Sequence, residues 1–210
     1  GGDDQIDLTG NAGADVIMGG FGADRILGGA GNNQDVLFGD HGEAIRINGA
    51  IALAGARSVQ INIGRRDYLD GGGGNDIIYG GGDGDTLLGN SGDDHLFGDD
   101  GDDYVFGDTG TVSGDETLIT TGPTSIGGSA GDVISGGNGI DLLFGGRDGD
   151  TITGGNGEDV LIGDFGTVTR SVTGDVLTAL TTDTLGYADN LAGEAGDDLL
   201  LGGNGNDTVT

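Results

Sequence analysis

Aliphatic residues recur along this chain with a period of nine. Between residues 71 and 106 the chain reads GGGGNDIIY, GGGDGDTLL, GNSGDDHLF and GDDGDDYVF. In each block the first residue is Gly, the sixth is Asp and the eighth is Leu, Ile or Val. Because side chains alternate faces in a strand, the eighth residue points to one side and the seventh and ninth point to the other. The pattern predicts one three-residue strand per repeat, preceded by a six-residue loop.

The repeat recurs fifteen times once insertions are allowed. The fifteen eighth-position residues are Ile17, Ile26, Leu37, Leu69, Ile78, Leu87, Leu96, Val105, Ile134, Leu143, Ile152, Leu161, Leu191, Leu200 and Val209. One inward aliphatic residue per strand is too little to form a core alone. Stacked repeats share these residues, so the pattern indicates a solenoid with a thin continuous core.

A few repeats depart from the pattern. The first nine residues place Ile6 in the Asp position, and we interpret them as a degenerate first repeat. One interrupted repeat should close near Pro123, so we expect that site to lack its carboxylate and to hold no ion. Asp83, Asp148 and Ala130 replace Gly at the fourth position, where we expect the loops to turn differently, and the site at Ala130 is the weakest candidate.

Composition excludes several classes of protein. The chain has 210 residues, of which 52 are Gly, and its 36 acidic against seven basic residues give a formal charge of −29. This charge argues against a nucleic-acid partner, which requires a basic face. No apolar run approaches the ~20 residues that a membrane span requires. The absence of Cys excludes disulfides and thiolate metal sites.

The loops carry the chemistry of a site for a hard cation. Glycine permits tight turns that direct backbone carbonyls toward a common centre, and the Asp adds a carboxylate at a fixed place. An all-oxygen, anionic cage of this kind suits Ca²⁺ better than Mg²⁺. Zn²⁺ is disfavoured because the cage offers no sulfur or imidazole ligand.

The motif GGxGxDxUx, in which U is a large aliphatic residue, resembles the RTX, or hemolysin-type, calcium-binding nonapeptide repeat. The resemblance covers nearly the whole chain as a single segment, residues 1–210, apart from three insertions. It implies an all-β fold, a right-handed parallel β-roll solenoid with about two repeats per turn. It also implies multiple Ca²⁺ ions between consecutive loops, held by the sixth-position Asp and loop carbonyls. Carried over to this chain, the metal ligands are Asp15, Asp24, Asp35, Asp67, Asp76, Asp85, Asp94, Asp103, Asp132, Asp141, Asp150, Asp159, Asp189, Asp198 and Asp207.

The charge of the repeats couples folding to metal binding. Stacked loops bring the carboxylates close together, where like charges repel and burial makes the repulsion worse. About fourteen Ca²⁺ ions would contribute roughly +28, which nearly cancels the chain's charge. We therefore expect this chain to fold only when it binds calcium.

Three insertions interrupt the repeats at approximately 43–66, 111–126 and 167–188. Each follows a GDxG opening that places Asp40, Asp108 or Asp164 at the second position. Counted from residue 10, the insertions fall in the fourth, ninth and fourteenth repeats. With two repeats per turn, this odd interval predicts that successive insertions lie on opposite edges of the roll.

The insertions read as β-hairpins. The first alternates hydrophobic and polar residues on either side of Asn48-Gly49, and the third does so around Gly174-Asp175. Five of the seven arginines lie in insertions: Arg46, Arg57, Arg65, Arg66 and Arg170. They either offset nearby acidic residues or belong to an interaction surface for a ligand or a second chain.

The outward-facing strand positions are unusually hydrophobic. Aromatic residues at the ninth position are Phe38, Tyr79, Phe97, Phe106 and Phe144. Either the hairpins fold back over these rows, or another chain associates with them laterally, since contiguous exposed apolar surface marks an interface. Both alternatives are open at the level of the sequence.

The chain contains no catalytic motif of the HExxH, GxSxG or Walker type, so we expect a protein that is not an enzyme. Our first hypothesis is a structural rod within a large secreted or cell-surface protein of the adhesin, surface-layer or matrix type. The alternative is the C-terminal calcium-dependent secretion and folding module of a hydrolase or toxin, because RTX proteins are typically secreted through type I systems. A carbohydrate- or ice-binding solenoid is less favoured, since the outward positions lack ranks of Thr.

Overall fold

The computed structural model describes residues 2–10, 13–47, 50–59, 64–121, 131–182 and 186–210. These residues contain no helix, and most of their strands belong to two parallel sheets of eight. Sheet A consists, in spatial order, of β1 (Gln5–Asp7), β3 (Arg25–Gly29), β7 (Tyr68–Gly73), β9 (Thr86–Ser91), β11 (Tyr104–Phe106), β15 (Leu142–Phe144), β17 (Val160–Ile162) and β21 (Leu199–Leu201). Sheet B consists of β2 (Val16–Met18), β4 (Val36–Phe38), β8 (Ile77–Gly82), β10 (His95–Asp100), β14 (Val133–Asn138), β16 (Thr151–Asn156), β20 (Asn190–Ala195) and β22 (Thr208–Val209).

The chain alternates between the two sheets, so that two repeats make one turn. The register sets each eighth-position residue beside its equivalent one turn away: Ile26 pairs with Leu69, and Leu69 pairs with Leu87. The prediction of an all-β parallel β-roll is confirmed. Within the described residues, no segment forms the long apolar helix that a membrane crossing needs.

The core is a single aliphatic column between the two sheets. Its buried members are Ile17, Ile26, Leu37, Leu69, Ile78, Leu87, Leu96, Val105, Ile134, Leu143, Ile152, Leu161 and Leu191. Leu200 packs against the column, whereas Val209, on the last strand described, is 50% exposed. The eighth-position pattern therefore identifies the inward face of the strands.

The interpretation of the first repeat is wrong by two residues. Ile6 pairs with Ile26 and packs against the aliphatic column, so it occupies the eighth position and not the sixth. Asp4 stands in the Asp position instead, and its backbone N–H donates to Asp24. Asp4 and Asp15 are separated by two residues more than the regular nine. Counting back from Asp15 in steps of nine therefore places Ile6, and not Asp4, in the Asp position.

The interpretation of the second insertion also needs correction. The strand that follows β11 in the roll is β14, which pairs with β10 in sheet B. Residues 107–135 therefore form one interrupted repeat that closes with Asp132, and not two repeats of which the first closes near Pro123. Pro123 and Ala130 themselves lie outside the described residues.

This correction changes where the insertions emerge. They now fall in the fourth, ninth and thirteenth repeats, so the interval is five and then four. The first leaves strand β4 of sheet B and returns to β7 of sheet A. The second and third both leave sheet A, after β11 and β17, and return to sheet B. The predicted alternation is wrong for this second pair, which shares one edge of the roll.

The inserted segments form antiparallel strands. The first contains β5 (Gly42–Ile47) and β6 (Ala50–Ser58), and the turn signal Asn48-Gly49 between them lies outside the described residues. The other two insertions share one sheet with the order β12 (Gly110–Val112), β13 (Leu118–Thr121), β18 (Gly166–Arg170) and β19 (Val176–Thr181). Pairing of β13 with β18 joins the second insertion to the third.

These strands cover the hydrophobic outward rows. On sheet B, Phe38 and Tyr79 are buried with Ala56 of β6, and the Tyr79 hydroxyl donates to the Ala56 carbonyl at 2.8 Å. On sheet A, Ile119 and Val168 of the four-stranded sheet pack in one cluster with Phe106 and Phe144. Of the two alternatives for the outward-facing rows, the structure has the first, in which the insertions fold back over them.

Candidate metal centre

The sixth-position aspartates form two hydrogen-bonded ladders, one at the start of the strands of each sheet. The Oδ1 atom of each Asp accepts the backbone N–H of the Asp one turn earlier, as from Asp76 to Asp94 at 2.7 Å and from Asp94 to Asp132 at 2.8 Å. Ladder A contains Asp4, Asp24, Asp67, Asp85, Asp103, Asp141, Asp159 and Asp198. Ladder B contains Asp15, Asp35, Asp76, Asp94, Asp132, Asp150, Asp189 and Asp207.

The structure thus brings all fifteen predicted residues into the two ladders and adds Asp4. Sequence reasoning missed Asp4 because the frame of the first repeat was misread. The residues Gly2-Asp3-Asp4-Gln5-Ile6 match the second half of the motif, and this signal could have identified it.

The second carboxylate oxygen of many ladder residues is buried and has no hydrogen-bond partner. These Oδ2 atoms belong to Asp24, Asp67, Asp76, Asp85, Asp94, Asp103, Asp141, Asp150, Asp159 and Asp189. A buried charged oxygen without a partner is costly, and a charge of this kind is normally paired or coordinates a metal. The ladders therefore contain a repeated series of buried carboxyl oxygens that a bound cation would stabilise.

The invariant first-position glycine is explained by the approach of two oxygens. A Cβ added to Gly89 would lie 2.4 Å from Asp94 Oδ2 and 2.4 Å from the carbonyl oxygen of Gly107, one turn on. At Gly136 the same distances are 2.3 Å to Asp141 Oδ2 and 2.6 Å to the Gly154 carbonyl. Any side chain here would displace the carboxylate. Each such position therefore brings a carboxylate and a main-chain carbonyl of the next turn together.

Burial and mutual repulsion hold the ladder carboxylates toward their protonated form. Burial, with the charge of the next ladder residue, raises the pKa of Asp94 and of Asp132 to about 9. Nearer the ends, burial raises the pKa of Asp76 to about 7 and of Asp189 to about 6. A bound cation would reverse this effect because opposite charge favours the ionised carboxylate.

The donor set fits a hard cation held mostly by main-chain oxygens. Among the described residues, no three His, Asp or Glu side chains gather around one point. Each centre can therefore draw on only one or two carboxylates, and backbone carbonyls would complete it. Ca²⁺ accepts six to eight such oxygens in a flexible geometry, whereas Mg²⁺ demands a near-ideal octahedron.

Asp at the fourth position changes the local backbone conformation. Asp83 and Asp148 have φ of 67° and 72°, whereas the regular fourth-position glycines Gly74 and Gly157 have φ of 120° and 152°. This difference agrees with the expectation that these loops turn differently. Asp tolerates the left-handed region better than most residues because its short side chain can hydrogen-bond locally.

The second-position aspartates that open the insertions are a further set of buried carboxylates. Asp40 and Asp164 are each 1% exposed, and Asp108 is half-buried. Sequence reasoning treated these residues only as markers of the insertions. The available signal was the replacement of Gly by Asp at the second position of all three interrupted repeats.

The described geometry agrees with a comparison to known protein families. The family model for the RTX calcium-binding nonapeptide repeat matches residues 1–35, 9–42, 64–87, 79–111, 126–161 and 183–210, which is more than half of the chain. No catalytic family is indicated. No curated protein and no solved structure matches the chain.

Proposed function

Because the chain belongs to the family of RTX calcium-binding nonapeptide repeats, we propose that it is a calcium-dependent structural rod of a large secreted or cell-surface protein. Repeats of this family bind several Ca²⁺ ions, and the chain is a calcium-binding repeat region. The parent protein in this proposal is an adhesin, a surface-layer protein or a matrix protein. Its working environment is extracellular, which is where proteins with these repeats are typically sent.

In this proposal the ions lie along both ladders, between consecutive turns. The ligands are the Oδ2 atoms of the sixth-position aspartates and the backbone carbonyls of the loops. The ion supplies the positive charge that the buried carboxylates lack. The chain's own residues hold it in place, since the Oδ1 atom of each Asp is fixed by a backbone N–H and its Oδ2 atom is aimed at the loops.

The continuity of the ladders is the observation that carries the rod proposal. Asp24 bonds to Asp67 at 2.6 Å across the first insertion, and Asp94 bonds to Asp132 at 2.8 Å across the second. The hydrogen-bonded series therefore passes every insertion without a break. A rod needs this uniform stacking, because each turn contacts only its neighbours and one missing link would form a hinge.

The experiment is a calcium titration followed by far-UV circular dichroism, starting in chelator and repeated with Mg²⁺. At pH 8 the expected result is a disordered spectrum in chelator and a cooperative gain of β signal with Ca²⁺ only. A folded spectrum in chelator at pH 8 would contradict the coupling of folding to calcium. Small-angle scattering of the calcium-loaded chain should report an elongated particle, and a compact one would contradict the rod.

The second candidate is a calcium-dependent secretion and folding module of a type I-secreted hydrolase or toxin. It is favoured by the family match, since RTX proteins are typically secreted through type I systems. The covered outward faces argue for the rod, because secretion alone has no need of inserted sheets. The parent sequence separates the two: further repeat segments with insertions support the rod, and an adjoining hydrolase or toxin domain supports the module.

A further inference from the structure

In repeats without an insertion, the second-position carbonyl faces the next loop of the same edge. A Cβ added to Gly72 would lie 1.7 Å from the carbonyl oxygen of Gly29. A Cβ added to Gly155 would lie 2.1 Å from the carbonyl oxygen of Gly137. This stacking depends on the left-handed conformation of the second residue, as at Gly72, where φ is 97°. Each regular loop thus offers a main-chain oxygen to its neighbour at this point.

At the insertions, a carboxylate takes the place of that carbonyl. None of Asp40, Asp108 and Asp164 has a positive φ, so the chain leaves the loop at this residue. Asp40 Oδ2 lies 2.6 Å from the place of a Cβ on Gly81 and accepts the N–H of Gly82 at 2.9 Å. The corresponding contacts are those of Asp108 with Gly146 and Arg147, and of Asp164 with Gly203 and Asn204.

A second buried oxygen at the first junction has no partner. Asp40 is 1% exposed, and its Oδ1 atom makes no hydrogen bond. Asp67, the sixth-position residue of the same interrupted repeat, is 2% exposed and also has an Oδ2 atom without a partner. That Oδ2 lies 2.3 Å from the place of a Cβ on Gly39, the residue before Asp40. Two buried acceptors of one repeat, both without a partner, therefore lie near the root of the insertion.

We propose that each insertion junction is a calcium site in which the second-position carboxylate replaces the loop carbonyl that the insertion removes. The paired carboxylates are Asp40 with Asp67, Asp108 with Asp132, and Asp164 with Asp189. The inference rests on the proposed function, since it assumes that the sixth-position aspartates bind calcium. A site with two carboxylates carries more ligand charge, which strengthens calcium binding. The ion ties the root of each covering insertion to the roll.

The test counts bound calcium in the complete chain by equilibrium dialysis with metal analysis. Asp40→Ala removes the side-chain oxygens and should bind one ion fewer than the unsubstituted chain, and the triple variant D40A/D108A/D164A should bind three fewer. Glu194→Ala is the matched control, because Glu194 is also an acidic residue at the second position but keeps the left-handed φ of 71°. Its side chain is exposed, so it supplies no buried oxygen to a loop. This control should keep the full count.

A full calcium count in the triple variant would overturn the inference, as would the loss of an ion in Glu194→Ala. If Asp40→Ala fails to fold, anomalous scattering from calcium in crystals of the unsubstituted chain decides. A peak within coordination distance of the Asp40 carboxylate supports the site, and its absence while the ladders show peaks refutes it. If the unsubstituted chain binds no calcium at all, it is the proposed function that fails.

Discussion

The aliphatic column and the aspartate ladders run the same length of the molecule with the same period, but they differ in what they need. Leu96 in the column is fully buried against its neighbours and is satisfied by apolar contact alone. Asp94, two residues away, is equally buried and has a carboxyl oxygen with no hydrogen-bond partner. One repeat therefore contains a residue that favours stacking of the turns and another that opposes it.

This contrast explains how a thin core can depend on an ion. Burying one Leu side chain contributes roughly 1.5–3 kcal/mol, and each repeat of the column has a single such residue. Burying an unpaired carboxylate costs a comparable or larger amount, and each repeat likewise has one ladder Asp, ten of which have a buried oxygen without a partner. In the absence of a cation, the ladders offset much of what the column contributes. If calcium binds along the ladders as proposed, it reverses the sign of the ladders' contribution and leaves that of the column unchanged.

The largest expected effect is a reversal of pH dependence on removing calcium. Burial raises the pKa of Asp94 from 3.8 to about 9 and that of Asp76 to about 7, so the metal-free folded state binds more protons than the unfolded chain. Its stability should therefore fall as the pH rises from about 4 toward 9. In calcium-depleted buffer, circular dichroism should show more β structure at pH 4 than at pH 8.

The calcium-loaded chain is the comparison for this pH experiment. In the proposed calcium-bound state the ladder carboxylates are ionised, so protons compete with the metal and the stability should fall as the pH is lowered. Opposite slopes with and without calcium are therefore expected. Equal slopes in both conditions would show that the ladders do not control folding.

The next effect isolates the column. Leu96→Ala should destabilise the calcium-saturated chain by about 2–5 kcal/mol, because it leaves a cavity between the two sheets. Leu177→Ala is the control, since Leu177 is 64% exposed and its loss should change stability by less than about 0.5 kcal/mol. Denaturant unfolding in saturating calcium measures both. If Leu96→Ala destabilises the chain no more than Leu177→Ala does, the aliphatic column does not contribute the expected stability.

A smaller effect is expected where the ladder and the backbone meet. Gly89→Ala places a methyl group 2.4 Å from both Asp94 Oδ2 and the Gly107 carbonyl, and overpacking of this kind costs about 1–3 kcal/mol. Unlike Leu96→Ala, it should also raise the calcium concentration needed for folding. The matched control is Gly114→Ala, where an added Cβ meets nothing within 4 Å. If the calcium concentration at the midpoint of folding is unchanged in Gly89→Ala, this glycine does not contribute to a metal site.

The smallest effect is expected on the covering hairpin. Arg57 and Glu43 form an ion pair at 2.7 Å across β5 and β6, and both side chains are more than half exposed. Such surface pairs contribute about 0.2–1 kcal/mol. The coupling between Arg57→Ala and Glu43→Ala in a double-mutant cycle should lie in this range and shrink in high salt. A larger coupling that does not respond to salt would assign the pair a structural role.

Local repetition made the ladders and the column predictable. Asp94 and Leu96 could be assigned because their contacts are with equivalent residues one turn away, and every copy repeats the same signal. The frame failed where that signal was weak. Ile6 was displaced by two extra residues, and the repeat closing with Asp132 was counted twice because its long loop contains a stretch that resembles another repeat.

The covering of the outward rows could not be assigned from the same signal. Phe106 and Phe144 are equally consistent in sequence with a partner chain or with a cover from within. The decision depends on Ile119 and Val168, which reach the same face from insertions far apart in the chain. Long-range contacts of this kind occur once and leave no period to detect.

The amino-acid sequence by itself determined the nine-residue period, the inward column, the family and the carboxylates that meet along the rims, because each depends on a contact repeated at every turn. Only the tertiary structure decided that the second and third insertions emerge on one edge and share a sheet through Leu118 and Thr169. The side on which an insertion emerges is set by whether it leaves sheet A or sheet B. Counting one repeat too many assigns an insertion to the wrong sheet and therefore to the wrong edge. The correct count depends on strand pairing along the whole roll, which no single stretch of sequence contains.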